Sequence, residues 1–114
     1  MQLGRVIGTV WATRKDERLE GLRLLIVQDV DLQLRPKASF TIAVDSVQSG
    51  VGELVLVTKG SSARQTRVTK DRPVDAVIMA SVDNLEFTDP ALLEQAYRAR
   101  LAQVESGLDG YVEP

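Results

Sequence analysis

Five short runs of alternating apolar residues, divided by glycine, proline and charged turns, predict a mainly β protein. A single short helical turn falls between the fourth and fifth runs, and an Asp-Pro pair opens a helix-periodic stretch near the end. Together these features predict a small five-stranded, OB-like β-barrel with one short helical turn and a C-terminal α-helix. The length of 114 residues suits one hydrophobic core. Composition agrees: Val and Leu dominate the apolar residues, and the aromatics are Trp11, Phe40, Phe87, Tyr97 and Tyr111. Val-rich sequence fits a pleated surface better than a helix.

The first strand is predicted from Leu3 to Arg14, with Gly4, Val6, Gly8, Val10 and Ala12 on one face and Leu3, Arg5, Ile7, Thr9 and Trp11 on the other. Gly4 and Gly8 disfavour a helix and suit a bend or close backbone approach. Apolar groups on both faces predict cover on both sides, one side the core and the other a subunit interface. Lys15-Asp16-Glu17-Arg18 is a charged turn. The second strand is predicted from Leu22 to Asp31, with Leu25 and Val27 opposed to Leu22, Leu24 and Ile26. Leu32 to Ala38 contains Pro36 and reads as a connection. Ser39 to Asp45 is the third strand, its alternating apolar face carrying Phe40, Ile42 and Val44.

A glycine-containing loop from Ser46 to Glu53 leads to the fourth strand, Leu54 to Thr58. In the Gly60–Thr66 segment, Ser61 or Ser62 is expected to cap one helical turn. A polar loop ending at Pro73 precedes the fifth strand, Val74 to Val82, with Ala76, Ile78, Ala80 and Val82 opposed to Val77, Met79 and Ser81. Beyond it, Asp89 is an N-cap, Pro90 an N1 residue and Gly107 a C′ residue. The intervening Leu93, Tyr97, Leu101 and Val104 form one apolar stripe. The organisation expected is a barrel domain over 1–85 and an acidic extension over 86–114. The extension carries a helix at about 90–106 and is not an independent domain.

Charge is unevenly placed. Residues 1–85 hold twelve Lys/Arg and ten Asp/Glu, whereas residues 86–114 hold two and six. The net charge of −2 does not favour nucleic-acid binding. Cysteine and histidine are both absent, which removes disulfides, thiolate sites and the commonest general base and metal ligand. No enzyme activity, cofactor or metal is therefore expected. The opening residues lack a basic region followed by an apolar one, and no apolar run reaches membrane-spanning length, so no membrane association is expected.

Four groups of residues invite a chemical reading. Gly50-Val51-Gly52-Glu53 has the look of a phosphate cradle, but a strand rather than a helix follows it, so a tight turn is the better reading. Gly60-Ser61-Ser62-Ala63-Arg64 has no Gly-Lys-Ser/Thr, and its serines have no histidine base. Asp29, Asp31, Asp45, Glu53, Asp75 and Asp83 stand singly near strand ends, where turn capping explains a carboxylate. An OB-like barrel binding single-stranded nucleic acid or a small ligand is the alternative function, but Trp11 and Phe40 are a thin stacking platform.

Several blocks together resemble the EutN/CcmL family of bacterial microcompartment vertex proteins. They are Leu3-Gly4-Arg5-Val6-Ile7-Gly8-Thr9-Val10, Leu24-Leu25-Ile26-Val27-Gln28, Ala43 to Glu53, Gly60 to Arg64 and Pro73 to Asp83. The third block is similar to the family's Asp-x-Val-Gly-Ala-Gly-x-Gly-Glu, with Gln48-Ser49 standing in place of Gly-Ala. The resemblance covers residues 2–84 and implies a homopentamer that caps and closes a shell, alongside hexameric and pseudohexameric shell proteins, in the bacterial cytoplasm. By the same resemblance, Gly50, Val51, Gly52, Glu53, Ser61, Ser62, Arg64 and Asp75 are expected at subunit contacts or the five-fold pore. Gly4 and Gly8 would serve backbone geometry. The tail stripe of Leu93, Tyr97 and Leu101 is expected to pack within the pentamer.

Overall fold

The computed structural model describes residues 1–95 and 98. Five strands, β1 (Gln2–Val10), β2 (Leu24–Val30), β3 (Pro36–Asp45), β4 (Leu54–Lys59) and β5 (Ala76–Ser81), close into a barrel in the order β1-β2-β3-β5-β4. β3 and β5 pair in parallel, Val44 opposite Val77, and the other pairings are antiparallel. A 3-10 helix, Gly60–Gln65, lies on the connection from β4 to β5. Closure leaves no open edge for a Val-rich sheet to extend.

The strand boundaries differ from expectation at the ends. β1 stops at Val10 rather than Arg14, and β2 spans Leu24–Val30. β3 starts earlier, at Pro36, where a proline at the first strand position removes no internal ladder bond. β4 runs on to Lys59, and β5 is confined to Ala76–Ser81.

The barrel interior holds Val6, Leu25, Val27, Ala43, Val55, Val57, Ala76 and Ile78. These are mostly small or β-branched, as the taper of a five-stranded barrel requires. The register accounts for the choice: Val6 faces Val27, Leu25 faces Ala43 and Val57 faces Ile78 across neighbouring strands. A second cluster, Val44, Ala63 and Val77, lies on the opposite side of the sheet, with Leu22, Leu24 and Val74 packed against it. Ala63 brings the 3-10 helix over this outer patch, so the helix covers part of the barrel wall rather than its interior.

Two irregularities reset the alternation. Val6 pairs with Val27 but Gly8 pairs with Ile26, so Ile7 is an extra residue in β1. Such a bulge moves every later side chain to the other face. Thr9, not Gly8 or Val10, consequently stands opposite the core residue Leu25. The single face expected from Gly4 to Ala12 is thus broken at Ile7. In β5 the same happens at Met79, since Ile78 pairs with Val57 and Ala80 with Leu56.

The apolar face expected for β3 exists but turns outward: Phe40 is 64% exposed and Ile42 40% exposed. Ala43 and Thr41 occupy the inward positions instead, opposite Leu25 and Val27.

The expected serine cap is also replaced. Lys59 precedes the 3-10 helix with no side-chain cap, and Ser61 and Ser62 lie within the helix, exposed. The Asp89 cap does form, its Oδ1 accepting from Ala91 N at 3.0 Å. Residues 90–95 are helical, and Leu93 is half-buried. Tyr97, Leu101, Val104 and Gly107 lie outside the described residues.

Candidate subunit interface

The loop from Gly50 to Glu53 continues the β1–β4 pairing beyond Leu54. Gly52 N donates to Val6 O at 2.8 Å, and Val6 N donates to Glu53 O at 3.0 Å. Arg5 Nη1 donates to Gly52 O at 2.8 Å, and Ser81 Oγ donates to Glu53 Oε2 at 3.0 Å. Both β1 and β5 therefore hold this loop in place. Gly52 has φ +93°, a conformation that glycine adopts without the penalty of a Cβ. Gly50 does not share it; the other left-handed residue of the segment is Gln48, at φ +60°. Val51 projects from the tip, exposed.

Asp45 organises the start of the same loop. Its Oδ1 accepts from Val47 N at 3.2 Å and Ser49 N at 3.0 Å, and its Oδ2 pairs with Arg23 at 3.0 Å. Asp31 likewise caps a turn, accepting from Gln33 N and Arg35 N. Asp29 accepts from Ser39 Oγ at 2.7 Å. These carboxylates bond local backbone and side-chain groups, Asp45 being paired with Arg23 as well, and Asp29 and Asp31 share one surface cavity with Lys37. Groups of three or more metal-ligating side chains are absent among the described residues.

The second sequence-derived group stands apart from the first. Gly50 to Glu53 precede β4 and Gly60 to Arg64 follow it, and a six-residue strand separates them by about 20 Å. Arg64 Nη1 donates to Val74 O at 3.3 Å, while Asp75 O accepts from Gly60 N at 2.8 Å. Within the chain Arg64 and Asp75 are not joined as an ion pair.

The two glycines of β1 differ in what they allow. A Cβ on Gly4 would collide with Val27 Cγ1 and lie 3.0 Å from Gln28 O, so the β1–β2 approach requires glycine there. At Gly8 the added carbon would meet only the terminal Cδ1 of Ile26, at 3.3 Å.

Apolar side chains outside the expected site residues form an outward surface. Ile26 and Ile42 are partners across β2 and β3, both facing outward, with Phe40 two residues along. The bulged Ile7, 50% exposed, and Trp11, 90% exposed, lie on or beyond the adjoining β1. A second outward row crosses β1, β4 and β5 through Leu3, Leu56 and Ala80, with Met79 exposed beside it. The legible signal was the presence of apolar residues on both faces of β1 and β2. An interior this small accepts only one of those faces.

Comparison with known proteins gives this surface a context. Residues 1–83 match the family described as ethanolamine utilisation protein EutN/carboxysome. The chain is 40% identical over 92 residues to the carboxysome shell vertex protein CcmL of Synechocystis sp., covering 81% of this chain and 92% of that one. It is 44% identical over 86 residues to the bacterial microcompartment shell vertex protein GrpN of Rhodospirillum rubrum, covering 75% and 97%. The solved structure of GrpN, a pentameric microcompartment shell protein, superposes with a TM-score of 0.71 at 43% identity, covering 77% of this chain and all of that one. Residues 84–114 lie beyond the family match. With the family match over residues 1–83, relatives at 40% identity or more and a matching barrel, the chain belongs to the EutN/CcmL family.

Proposed function

We propose that the chain is a structural subunit of a bacterial microcompartment shell, forming the pentameric vertex that caps and closes it. The observation that carries this reading is the outward row of Ile7, Ile26, Ile42 and Phe40 on a barrel whose interior is already filled without them. Leaving such a row in water forfeits roughly 25 cal/mol for each Å² that association would bury. Closed five-fold symmetry needs a heterologous contact, in which one face meets a different face of the next subunit. The second row, Leu3, Leu56, Ala80 and Met79, supplies that different face. The names of the relatives, shell vertex proteins all, support the same reading.

The Gly50–Glu53 loop, with Val51 at its tip, and the Gly60–Arg64 turn, with Ser61 and Ser62, form two separate contact regions in this reading. Their separation along β4 supports two distinct contacts rather than one. Arg64 of one subunit then meets a neighbour's carboxylate, Asp75 being the candidate. The role is mechanical rather than catalytic: a flat sheet of hexameric tiles closes only where five-fold tiles introduce curvature. The shell lies in the bacterial cytoplasm, and hexameric and pseudohexameric shell proteins are the partners.

Native mass spectrometry of the purified chain tests the proposal. A species of five chain masses is expected. A monomer that also fails to join co-expressed hexameric shell proteins would overturn it.

A further inference from the structure

The connection between β4 and β5 carries a concentration of positive charge that the fold does not neutralise. From Lys59 to Asp75 it holds Lys59, Arg64, Arg67, Lys70 and Arg72 against the carboxylates Asp71 and Asp75. Among the described residues, ion pairs join Arg18 to Asp16, Arg23 to Asp45 and Arg98 to Glu94, none of them in this segment. Arg64 and Arg72 spend hydrogen bonds on carbonyls: Arg64 on Val74 O, and Arg72 on Arg18 O at 2.7 Å and Glu20 O at 3.0 Å. Neither guanidinium group forms an ion pair with a described carboxylate.

The segment is also held in shape. Thr69 is fully buried; its Oγ1 donates to Ala63 O, and its N donates to Thr66 Oγ1 at 3.0 Å. Arg72 N donates to Thr69 O at 3.0 Å. Through Arg72 the basic segment adjoins the β1–β2 loop, where exposed Arg14 and Lys15 stand with the exposed carboxylates Asp16, Glu17 and Glu20 and the exposed Trp11. Val68 is an exposed apolar residue within it. The surface is thus cationic, preformed and partly apolar, which suits an acidic segment with aromatic or aliphatic side chains.

The chain itself contains such a segment. Residues 101–114 carry Glu105, Asp109 and Glu113 with no Lys or Arg, interspersed with Leu108, Tyr111 and Val112. They lie outside the family match and outside the described residues. We infer that this acidic C-terminal segment, of the same or a neighbouring copy, docks on the basic face formed by Lys59, Arg67, Lys70 and Arg72. Reach does not forbid it. The seventeen residues from 84 to 100 span about 25 Å even as a helix, more than the roughly 20 Å length of β5 that separates the chain's exit from Lys59.

Carbodiimide cross-linking of the full-length protein, mapped by mass spectrometry, tests the inference. Amide links are expected from Lys59 or Lys70 to Glu105, Asp109 or Glu113. Raising salt from about 0.05 M to about 0.5 M should suppress them several-fold, because screening shortens the range of such contacts. Arg67→Glu leaves both lysines available and should lower the yield several-fold; Asp109→Lys in the same chain should restore links through Glu113. Links to Lys37 instead, or yields indifferent to salt and to Arg67→Glu, would overturn the inference. Native mass, measured alongside, reports separately on the vertex reading.

Discussion

Gly4 of β1 lies so close to Val27 of β2 that a single added carbon would occupy the position of the Val27 Cγ1 methyl. The two strands meet here at the wall of the core, since Val27 is fully buried and the next inward residue on β1 is Val6. Gly4→Ala is therefore expected to destabilise the barrel by about 1–3 kcal/mol, the usual cost of overpacking a filled core. The mid-point of thermal unfolding should fall clearly. Gly8→Ala, which meets only the end of Ile26, should lower it much less. Equal effects from the two would show that the close approach at Gly4 is not the constraint.

Ile42 and Ile26 face each other on the outside of the barrel, away from the core. Ile42→Asp should leave the far-ultraviolet circular dichroism of the barrel unchanged and reduce the native mass to that of a monomer. Ile42→Val, which removes one methylene, should weaken association by about 0.5–1.5 kcal/mol without abolishing it. Loss of folding in Ile42→Asp would place this residue in the chain's own core instead.

Gln48 takes a left-handed conformation, φ +60°. Side chains other than glycine are strained there, while glycine costs more entropy on folding. Relief exceeds that cost only modestly, so Gln48→Gly should stabilise the fold by up to about 1 kcal/mol. Chemical denaturation reads the change; a loss of stability would mean that the glutamine side chain holds the loop.

Asp16 caps the 3-10 helix Glu17–Leu19 and receives both the backbone N and the guanidinium of Arg18. The Arg18 side-chain hydrogen bond, followed by that from its backbone, lowers the carboxyl from the ordinary 3.8 to about 2. A depressed carboxylate stabilises the folded form above the unfolded value and loses that contribution as pH falls through the folded one. Any stabilisation from this pair is thus present above pH 3.8 and fades toward pH 2. Both groups are exposed, so the thermodynamic effect is small. Carboxyl NMR titration should place the Asp16 mid-point near 2, and Arg18→Ala should move it up toward 3.8.

The sequence by itself determined the number of strands, their order along the chain, the helical turn between the last two and the Asp89 cap, because each rests on local chemistry: alternation, turn residues and backbone hydrogen bonding within a few positions. It also carried the family resemblance, which the match over residues 1–83 bears out. Tertiary structure alone decided which side of each strand became the inside. Alternation along β3 marks Phe40, Ile42 and Val44 as one face, yet closure into a narrow barrel reserves the interior for Ala43, Thr41 and their neighbours and turns the larger side chains out. The bulges at Ile7 and Met79 are likewise products of pairing between strands. Each inverts the faces beyond it, and nothing in the single strand marks where. The candidate interface was half legible for the same reason: two apolar faces could be read from β1, but the outer row across β1, β2 and β3 exists only once the register places Ile26 beside Ile42. A strand's period is a local property, whereas its phase is set by its partners.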